Sequence, residues 1–326
     1  MQEEGRGLKY SIFVGLVVLT TIMLLVGWYV SQEPDTFDVE ELVAERKGVT
    51  GYATTEVVIT ISETLLDKPG GFMSNDKLPP FVFLDNIPAW EVGALIQVRD
   101  MTRALRKSIS RSQSQSIEDK DLKIAEPKMH IDTQEWMFPS AEDEYRKGIT
   151  ALRSYQERLA DPDQSDAQFY ARADNLRDWL SEVENRLGAL SQRLAASVGQ
   201  KRVNTNLAGD SAAKGSTHEP SQVRVQTPWS QIDDVFYEAR GSCWAILHML
   251  EAIEIDFRSV LLKKNAVASM QQIIRELEAT QQTVWSPLIL NGDGFGMLAN
   301  HSLVMASYIS RANAAIIDLR ELLSDG

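Results

Sequence analysis

A heptad seam between Phe169 and Val198 constrains the fold of this chain more than any other feature. Apolar residues recur there at alternating steps of four and three: Phe169, Ala173, Leu176, Leu180, Val183, Leu187, Leu190, Leu194 and Val198. This spacing puts them on one stripe of an α-helix of roughly 45 Å, which needs partner helices of similar length to cover it. We therefore expect the rest of the chain to be organised around this helix.

Helical periodicity also predicts partners for the seam helix. The predicted helices cover 54–66, 88–109, 140–160, 229–284 and 300–322. The stretch 229–284 is one bent helix or two, and the lack of Gly and Pro over most of it favours one. The short connection 161–166 predicts a hairpin between the helix before it and the seam helix. Residues 110–138 read as irregular, and 200–227 as a flexible linker.

The first thirty residues contain a run long enough to span a bilayer. Ser11–Val30 is uncharged, and twenty helical residues cover roughly 30 Å, the thickness of the hydrocarbon core. A cleaved signal peptide would have a shorter apolar run and a small-residue cleavage site, which this segment lacks. The sequence thus predicts a short tail (1–10), a transmembrane anchor (11–30), an acidic stalk (31–52) and a helical domain (53–326).

Basic residues near the anchor predict its orientation. Arg6 and Lys9 precede the run, whereas no Lys or Arg follows it before Arg46. By the positive-inside rule the N-terminus is cytoplasmic, and the bulk of the chain is periplasmic in a single-pass protein of the bacterial inner membrane. The predicted fold class is all-α: an N-terminal transmembrane helix followed by an elongated antiparallel helical bundle with coiled-coil-like seams.

Charge and cysteine content exclude several classes of function. The net charge is −13, which disfavours nucleic acid as a partner. The single Cys243 rules out an internal disulfide, and no motif indicates a metal site or a cofactor. The segment Arg240–Ala245 is similar to the nucleophile segment of papain-type proteases. However, Cys243 falls at a seam position inside a helix, so we expect a buried structural cysteine.

A glycine-rich loop is the first candidate contact site. The loop Asn291–Gly296 precedes Asn300 and His301, which open the last predicted helix, and Arg311 lies further along it. One interpretation is a tight connection capped by Asn300; the other is a ligand or partner contact. The candidate contact residues of the loop are Asn291, Asp293, Phe295, Asn300, His301 and Arg311.

A basic helix face is the second candidate contact site. Arg99 and Arg103, with Arg106 and Lys107, form a basic patch on an otherwise acidic protein. The patch is either a solvated helix face near a C-terminus or a contact for an anionic partner.

Several long stretches carry a resemblance to a known family. They are LLDKPGGFMSND, LDNIPAWEVGALIQVRD, SRSQSQS, AQFYARADNL and WSPLILNGDGFGMLANHSLVMASYISRANAAIIDLR. They resemble an uncharacterised family of proteobacterial single-pass inner-membrane proteins, known only as a domain of unknown function. The resemblance implies an inner-membrane protein and transfers neither an activity nor catalytic residues.

Two functions are consistent with these features. The leading hypothesis is a non-enzymatic interaction or scaffolding protein of the cell envelope, anchored in the bilayer through residues 11–30 and bound to an envelope protein. The alternative is a periplasmic enzyme or ligand sensor with its site at loop 291–296 and Asn300/His301.

Overall fold

The described part of the chain is mostly helical, which confirms the predicted fold class. The computed structural model describes residues 2–46, 48–113, 115–163, 166–203, 222–286, 288–293 and 296–324. The helices are α1 (Gln2–Val30), α2 (Val39–Leu42), α3 (Tyr52–Asp67), α4 (Asn86–Ala104), α5 (Leu122–Met129), α6 (Ala141–Ala160), α7 (Ala173–Ala195), α8 (Ile232–Asp256), α9 (Arg258–Lys263), α10 (Val267–Thr280) and α11 (His301–Ser324). A π-helical turn, Leu105–Ile109, extends α4. Two strands, β1 (Gln200–Val203) and β2 (Gln222–Val225), pair in antiparallel fashion.

The central helix of the bundle is α8. Every residue from Ala239 to Leu250 is buried, so this part of α8 is covered on all sides. The most extensive contact of α8 is with α4, and α10, α3, α7 and α11 also pack against α8. The expectation that the seam helix, α7, organises the chain is therefore wrong. α7 lies at the side of the bundle, antiparallel to α11, where the Ser191 and Ser310 hydroxyls are 2.6 Å apart.

The α7 seam itself is buried as predicted. Its side chains from the first turn to the last are covered: Leu176, Leu180, Val183, Leu187, Leu190 and Leu194. The ends differ from the prediction, because Phe169 lies in an extended segment before α7 and Val198 in a 3-10 turn after it. Phe169 packs edge-on against Phe257, with ring centroids 5.6 Å apart, and therefore contributes to the core without being helical.

The predicted hairpin between α6 and α7 is wrong. α6 packs mainly against α5 and α3, whereas α7 packs mainly along α11. The connection carries the chain away from α6, because Tyr170 N donates a hydrogen bond to Ile109 O (2.7 Å) and Arg172 reaches Ser112 O (2.7 Å). These contacts lie at and just after the π-helical turn that continues α4, so α7 begins beside the C-terminal end of α4.

The stretch predicted as one bent helix over 229–284 is interrupted twice. Phe257 leaves the helical conformation between α8 and α9, and it is fully buried. Asn265 has a φ of 52° between α9 and α10, the left-handed conformation that asparagine tolerates better than most residues. Ala266 N then bonds Leu261 O at 2.8 Å and closes the end of α9.

Unpredicted elements include helix α5 and strands β1 and β2. α5 interrupts the stretch 110–138 that was expected to be irregular, and it buries Leu122, Ala125 and Met129. Strands β1 and β2 form the two ends of the predicted linker 200–227, whose middle part, 204–221, lies outside the described residues.

The segment predicted as an acidic stalk is not a free spacer, because it lies along α8. Its first contacts are Glu33 with Arg240 and Asp35 O with Trp244 Nε1 (3.2 Å). Further along, Phe37 N donates to His248 Nε2 at 3.0 Å. The three α8 residues are spaced by four and share one helix face, so the segment after α1 follows α8 away from the end of α1.

Candidate functional site

An apolar cleft of about 500 Å³ lies between α8, α10 and α11. Its lining includes Phe236, Trp285, Val304, Met305 and Tyr308. Trp285 is 93% exposed and Val304 is 55% exposed, although both are large apolar side chains. The cleft is thus an uncovered apolar surface of the kind that binds an apolar partner or ligand.

Arg240 lines the cleft, and its guanidinium is bound by backbone carbonyls and by Glu33. Its Nη1 donates to Thr280 O (2.9 Å) and Gln282 O (2.7 Å), and its Nη2 donates to Gln281 O (3.2 Å). Its Nε pairs with Glu33. A cation at these carbonyls stabilises the C-terminal end of α10. Because Glu33 follows α1 by three residues, its contact with Arg240 places the cleft close to the end of α1.

His301 supplies one polar group to the cleft. Its Nδ1 accepts a hydrogen bond from Leu290 N at 3.1 Å, so a neutral ring carries its proton on Nε2. The backbone N–H of His301 donates to Leu290 O at 3.0 Å. His301 is therefore held at the start of α11 by the preceding chain, and its Nε2–H is a donor for a group bound in the cleft.

The candidate residues Asn291 and Asn300 hold the glycine-rich connection together. Asn300 Oδ1 accepts from Leu303 N (2.8 Å), which caps α11 as predicted. Asn300 Nδ2 donates to Asn291 Oδ1 (2.9 Å) and to Gly292 O (2.5 Å). Asn291 Nδ2 in turn donates to Ser197 O at 2.9 Å. These bonds account for both side chains as parts of the connection between α10 and α11.

The remaining residues of this candidate site are dispersed. Asp293 accepts a hydrogen bond from Gly296 N within the loop, and Phe295 lies outside the described residues. Arg311 Nε pairs with Glu276 Oε2 at 2.8 Å, and its guanidinium stacks 4.5 Å from the ring centroid of Tyr308. Of the six candidates near the loop, the structure brings His301 to the cleft, and Arg311 borders it through Tyr308.

The basic patch is held by contacts within the protein. Arg99 donates to the carbonyls of Met129 (2.7 Å) and Ile131 (2.6 Å) at the end of α5. Arg103 bridges Asp100 (2.8 Å) and Glu182 (2.7 Å), which ties α4 to α7.

The two other residues of the patch are also paired. Arg106 and Lys107 both bind Glu118, at 2.8 Å each. These hydrogen bonds lower the pKa of Glu118 to about 2. The patch thus joins α4 to its neighbours.

Cys243 is the buried structural cysteine that the sequence predicts. It lies in the middle of α8 and is fully buried. Burial raises the pKa of its thiol to about 12. A thiol with that pKa is protonated at neutral pH and is a poor nucleophile.

A second, acidic cleft of about 650 Å³ lies between residues 36–40, α8 and α10, and it was not predicted from the sequence. Its lining includes Asp38, Glu251, Glu254 and Glu278 together with Arg258, Arg275 and Gln271. Burial, reinforced by Glu278, Asp38 and Glu254, raises the pKa of Glu251 to about 7.

His248 lies one turn before Glu251 on α8 and fixes the segment after α1. Its Nδ1–H donates to Trp244 O (2.7 Å), which leaves Nε2 to accept from Phe37 N. The Phe37 ring stacks on the imidazole with centroids 3.8 Å apart. Burial lowers the pKa of His248 to about 4, so the ring stays neutral and keeps this acceptor at neutral pH.

Glu251→Gln is expected to stabilise the protein more at pH 8 than at pH 5. The pKa of Glu251 is raised on folding, so its stabilising contribution is complete below about pH 4.5 and is lost as the pH rises through about 7. Glutamine removes this loss. The midpoint of urea unfolding at the two pH values measures the effect, with Glu157→Gln on the exposed face of α6 as the control.

The contribution of His248 to stability changes with pH in the opposite direction. It cancels when Glu251→Gln is compared with the parent protein at the same pH. The pKa of His248 is lowered on folding, so its contribution is complete above about pH 6.5 and is lost as the pH falls through about 4, in both variant and parent. An equal effect of Glu251→Gln at pH 5 and pH 8 would contradict the assigned environment of Glu251.

Comparison with known proteins identifies one family. The family described as "Uncharacterized protein conserved in bacteria (DUF2333)" matches residues 2–326, which is nearly the whole chain. No curated protein and no solved structure matches the chain.

Proposed function

We propose that this chain, which belongs to the DUF2333 family of uncharacterized bacterial proteins, is a membrane-anchored periplasmic protein that binds another envelope component through its apolar cleft. The observation that carries the proposal is the exposure of Trp285 and Val304 in a cleft bordered by Tyr308 and Phe236. Exposed aromatic and aliphatic side chains around a concave surface are the usual basis of a protein-binding site.

The position of the cleft suggests the kind of partner. α1 includes Lys9–Val30, a segment long and apolar enough to cross a membrane and exposed over nearly all of its length. The cleft lies near the end of this helix, since Arg240 contacts both Glu33 and the C-terminal end of α10. An apolar segment of another membrane-associated protein, close to the bilayer surface, therefore fits the cleft best.

A small-ligand sensor is the second candidate function. His301 supports it, because its ring lines the apolar cleft and carries an Nε2–H that can donate a hydrogen bond. This arrangement suits an apolar molecule with one acceptor group. A ligand of that kind would still bind after His301→Ala, but more weakly, whereas a partner that buries only apolar side chains would not depend on His301.

Alkaline phosphatase fused at Gly326 is expected to be active in cells. The fusion places the enzyme on the far side of α1, where the predicted orientation makes it periplasmic, and its disulfides form in that oxidising compartment. Reversing the charge bias with Arg6→Glu and Lys9→Glu should reduce the activity. Activity of a cytoplasmic reporter at Gly326, with an inactive phosphatase fusion, would contradict the orientation.

Site-specific photo-crosslinking in cells tests the proposed binding site. A photoreactive phenylalanine analogue replaces Val304 in the cleft or Leu262 on α9, which are 55% and 60% exposed. We expect a discrete adduct from position 304 that is absent from position 262. The same adducts from both positions, or none from position 304, would contradict a partner in the cleft.

A further inference from the structure

The bundle contacts α1 inside the apolar run of the anchor. A Cβ added at Gly27 would lie 3.8 Å from Leu84 Cδ2, and Val30 is buried beside Gly70. Gly27 precedes Val30 by three residues, which is about 4.5 Å along a helix axis. If α1 spans the bilayer as proposed above, Leu84 lies at the depth of the last apolar turn of the anchor.

The loop that contains Leu84 leaves large apolar side chains uncovered. Leu78, Val82 and Phe83 are all exposed, Phe83 to 72%, around the 3-10 turn Phe81–Phe83. Water is an unfavourable environment for this surface, at about 25 cal/mol per Å² of apolar area. The neighbours Lys77 and Asp85 are exposed charged residues at the two ends of this loop.

A second apolar loop lies beside the first. Lys77 Nζ donates to Gln134 Oε1 (3.1 Å), and Gln134 Nε2 donates to Ser74 O (2.9 Å). Asn75 Nδ2 also donates to Glu135 O at 2.8 Å. The next three residues, Trp136, Met137 and Phe138, are exposed, Phe138 to 93%. The two loops therefore present their apolar side chains from the same end of the bundle.

We infer that loops 78–84 and 136–138 insert into the bilayer around the end of α1 and form a second membrane contact. The inference rests on the membrane anchoring proposed for α1. Trp and Phe side chains are common at the level of the lipid head groups, where an apolar ring is covered and polar neighbours stay hydrated. The net charge of −13 makes electrostatic attraction to anionic lipids a poor alternative.

The far end of the bundle provides a matched control position. α4 starts next to Leu84 and runs through its π-helical turn to Ile109, about 35 Å away for 24 helical residues. Ile117 follows that end and is 93% exposed, the same fraction as Phe138. Exposure is thus equal at the two positions, and only their distance from the anchor differs.

Nitroxide depth measurements on the full chain test the inference. Spin labels are placed on Phe83→Cys, Phe138→Cys and Ile117→Cys in vesicles of phosphatidylethanolamine and phosphatidylglycerol, with Leu19→Cys in α1 as the membrane reference. The unmodified chain controls for labelling of the buried Cys243. Oxygen, which concentrates in hydrocarbon, should relax the labels at 83 and 138 more than a water-soluble nickel chelate does, and the reverse should hold at 117.

Three results would overturn the inference. Nickel-accessible labels at 83 and 138, with a membrane-like label at 19, would show that α1 is inserted and the loops are not. Spin–spin broadening at 83 that disappears on dilution with unlabelled protein would assign the loops to contact with a second copy. A nickel-accessible label at position 19 would instead contradict the membrane anchor itself and, with it, the membrane insertion of the loops.

Discussion

Gly241→Ala is expected to lower the free energy of unfolding by about 3 kcal/mol, because α4 and α8 cross in direct backbone contact at this residue. A Cβ at Gly241 would lie 2.1 Å from Trp90 O, and one at Gly93 would lie 2.1 Å from Glu238 O. Neither contact can be relieved by a side-chain rotation, since both involve backbone carbonyls. Chemical unfolding followed by circular dichroism measures the effect.

Gly188→Ala is the matched control for this prediction. Gly188 is also inside a helix, α7, but the nearest atom to an added Cβ is Asn313 Nδ2 at 3.6 Å, which is ordinary contact. Alanine should therefore stabilise α7 by up to about 1 kcal/mol through its higher helix propensity. Equal effects of the two substitutions would contradict the close crossing of α4 and α8.

Leu187→Asp is expected to destabilise the bundle by about 3–5 kcal/mol, a large part of a typical folding free energy. Leu187 is fully buried in the seam of α7, so the substitution places an unpaired carboxylate in the core. Ala189→Asp changes an exposed position two residues away and should cost less than about 1 kcal/mol. An unchanged melting temperature for Leu187→Asp would show that Leu187 does not face the core.

Periodicity predicted the helices of this fold well and their arrangement poorly. The α7 seam was predicted from the spacing of its leucines. This spacing marks the face of the helix that is buried, regardless of which helix packs against it. The central position of α8 was missed although its segment from Cys243 to Leu250 is almost uniformly apolar. A helix that is buried all round has no distinct apolar face, so periodicity gives a weaker signal for it than for α7.

Two features of the fold could not be predicted from local composition. α9 and α10 are separated by the left-handed Asn265, which no helix-breaking Gly or Pro marks. The segment after α1 is acidic and reads as solvated, yet it is held by Trp244 and His248, more than 200 residues away along the chain. Pairings at that separation are not visible in local composition.

The sequence indicated only part of the candidate cleft. The sequence drew attention to the loop before α11, where aromatic and polar residues are concentrated, and His301 does line the apolar cleft. Asn291 and Asn300 instead form hydrogen bonds that hold the loop, as the capping interpretation proposed. The cleft itself was missed, because it needs α8, α10 and α11 to come together.

The central claim is that an apolar partner binds in the cleft. Crosslinking from position 285, with and without a second substitution in the cleft, tests this claim most directly. The photoreactive residue replaces Trp285, and Val304→Glu then places a charge in the same cleft. If an apolar partner fills the cleft, the adduct should fall about tenfold, equivalent to about 1.4 kcal/mol of lost affinity. Leu262→Glu, on α9, should leave it unchanged. An adduct from position 285 that survives Val304→Glu at full yield would contradict binding in the cleft.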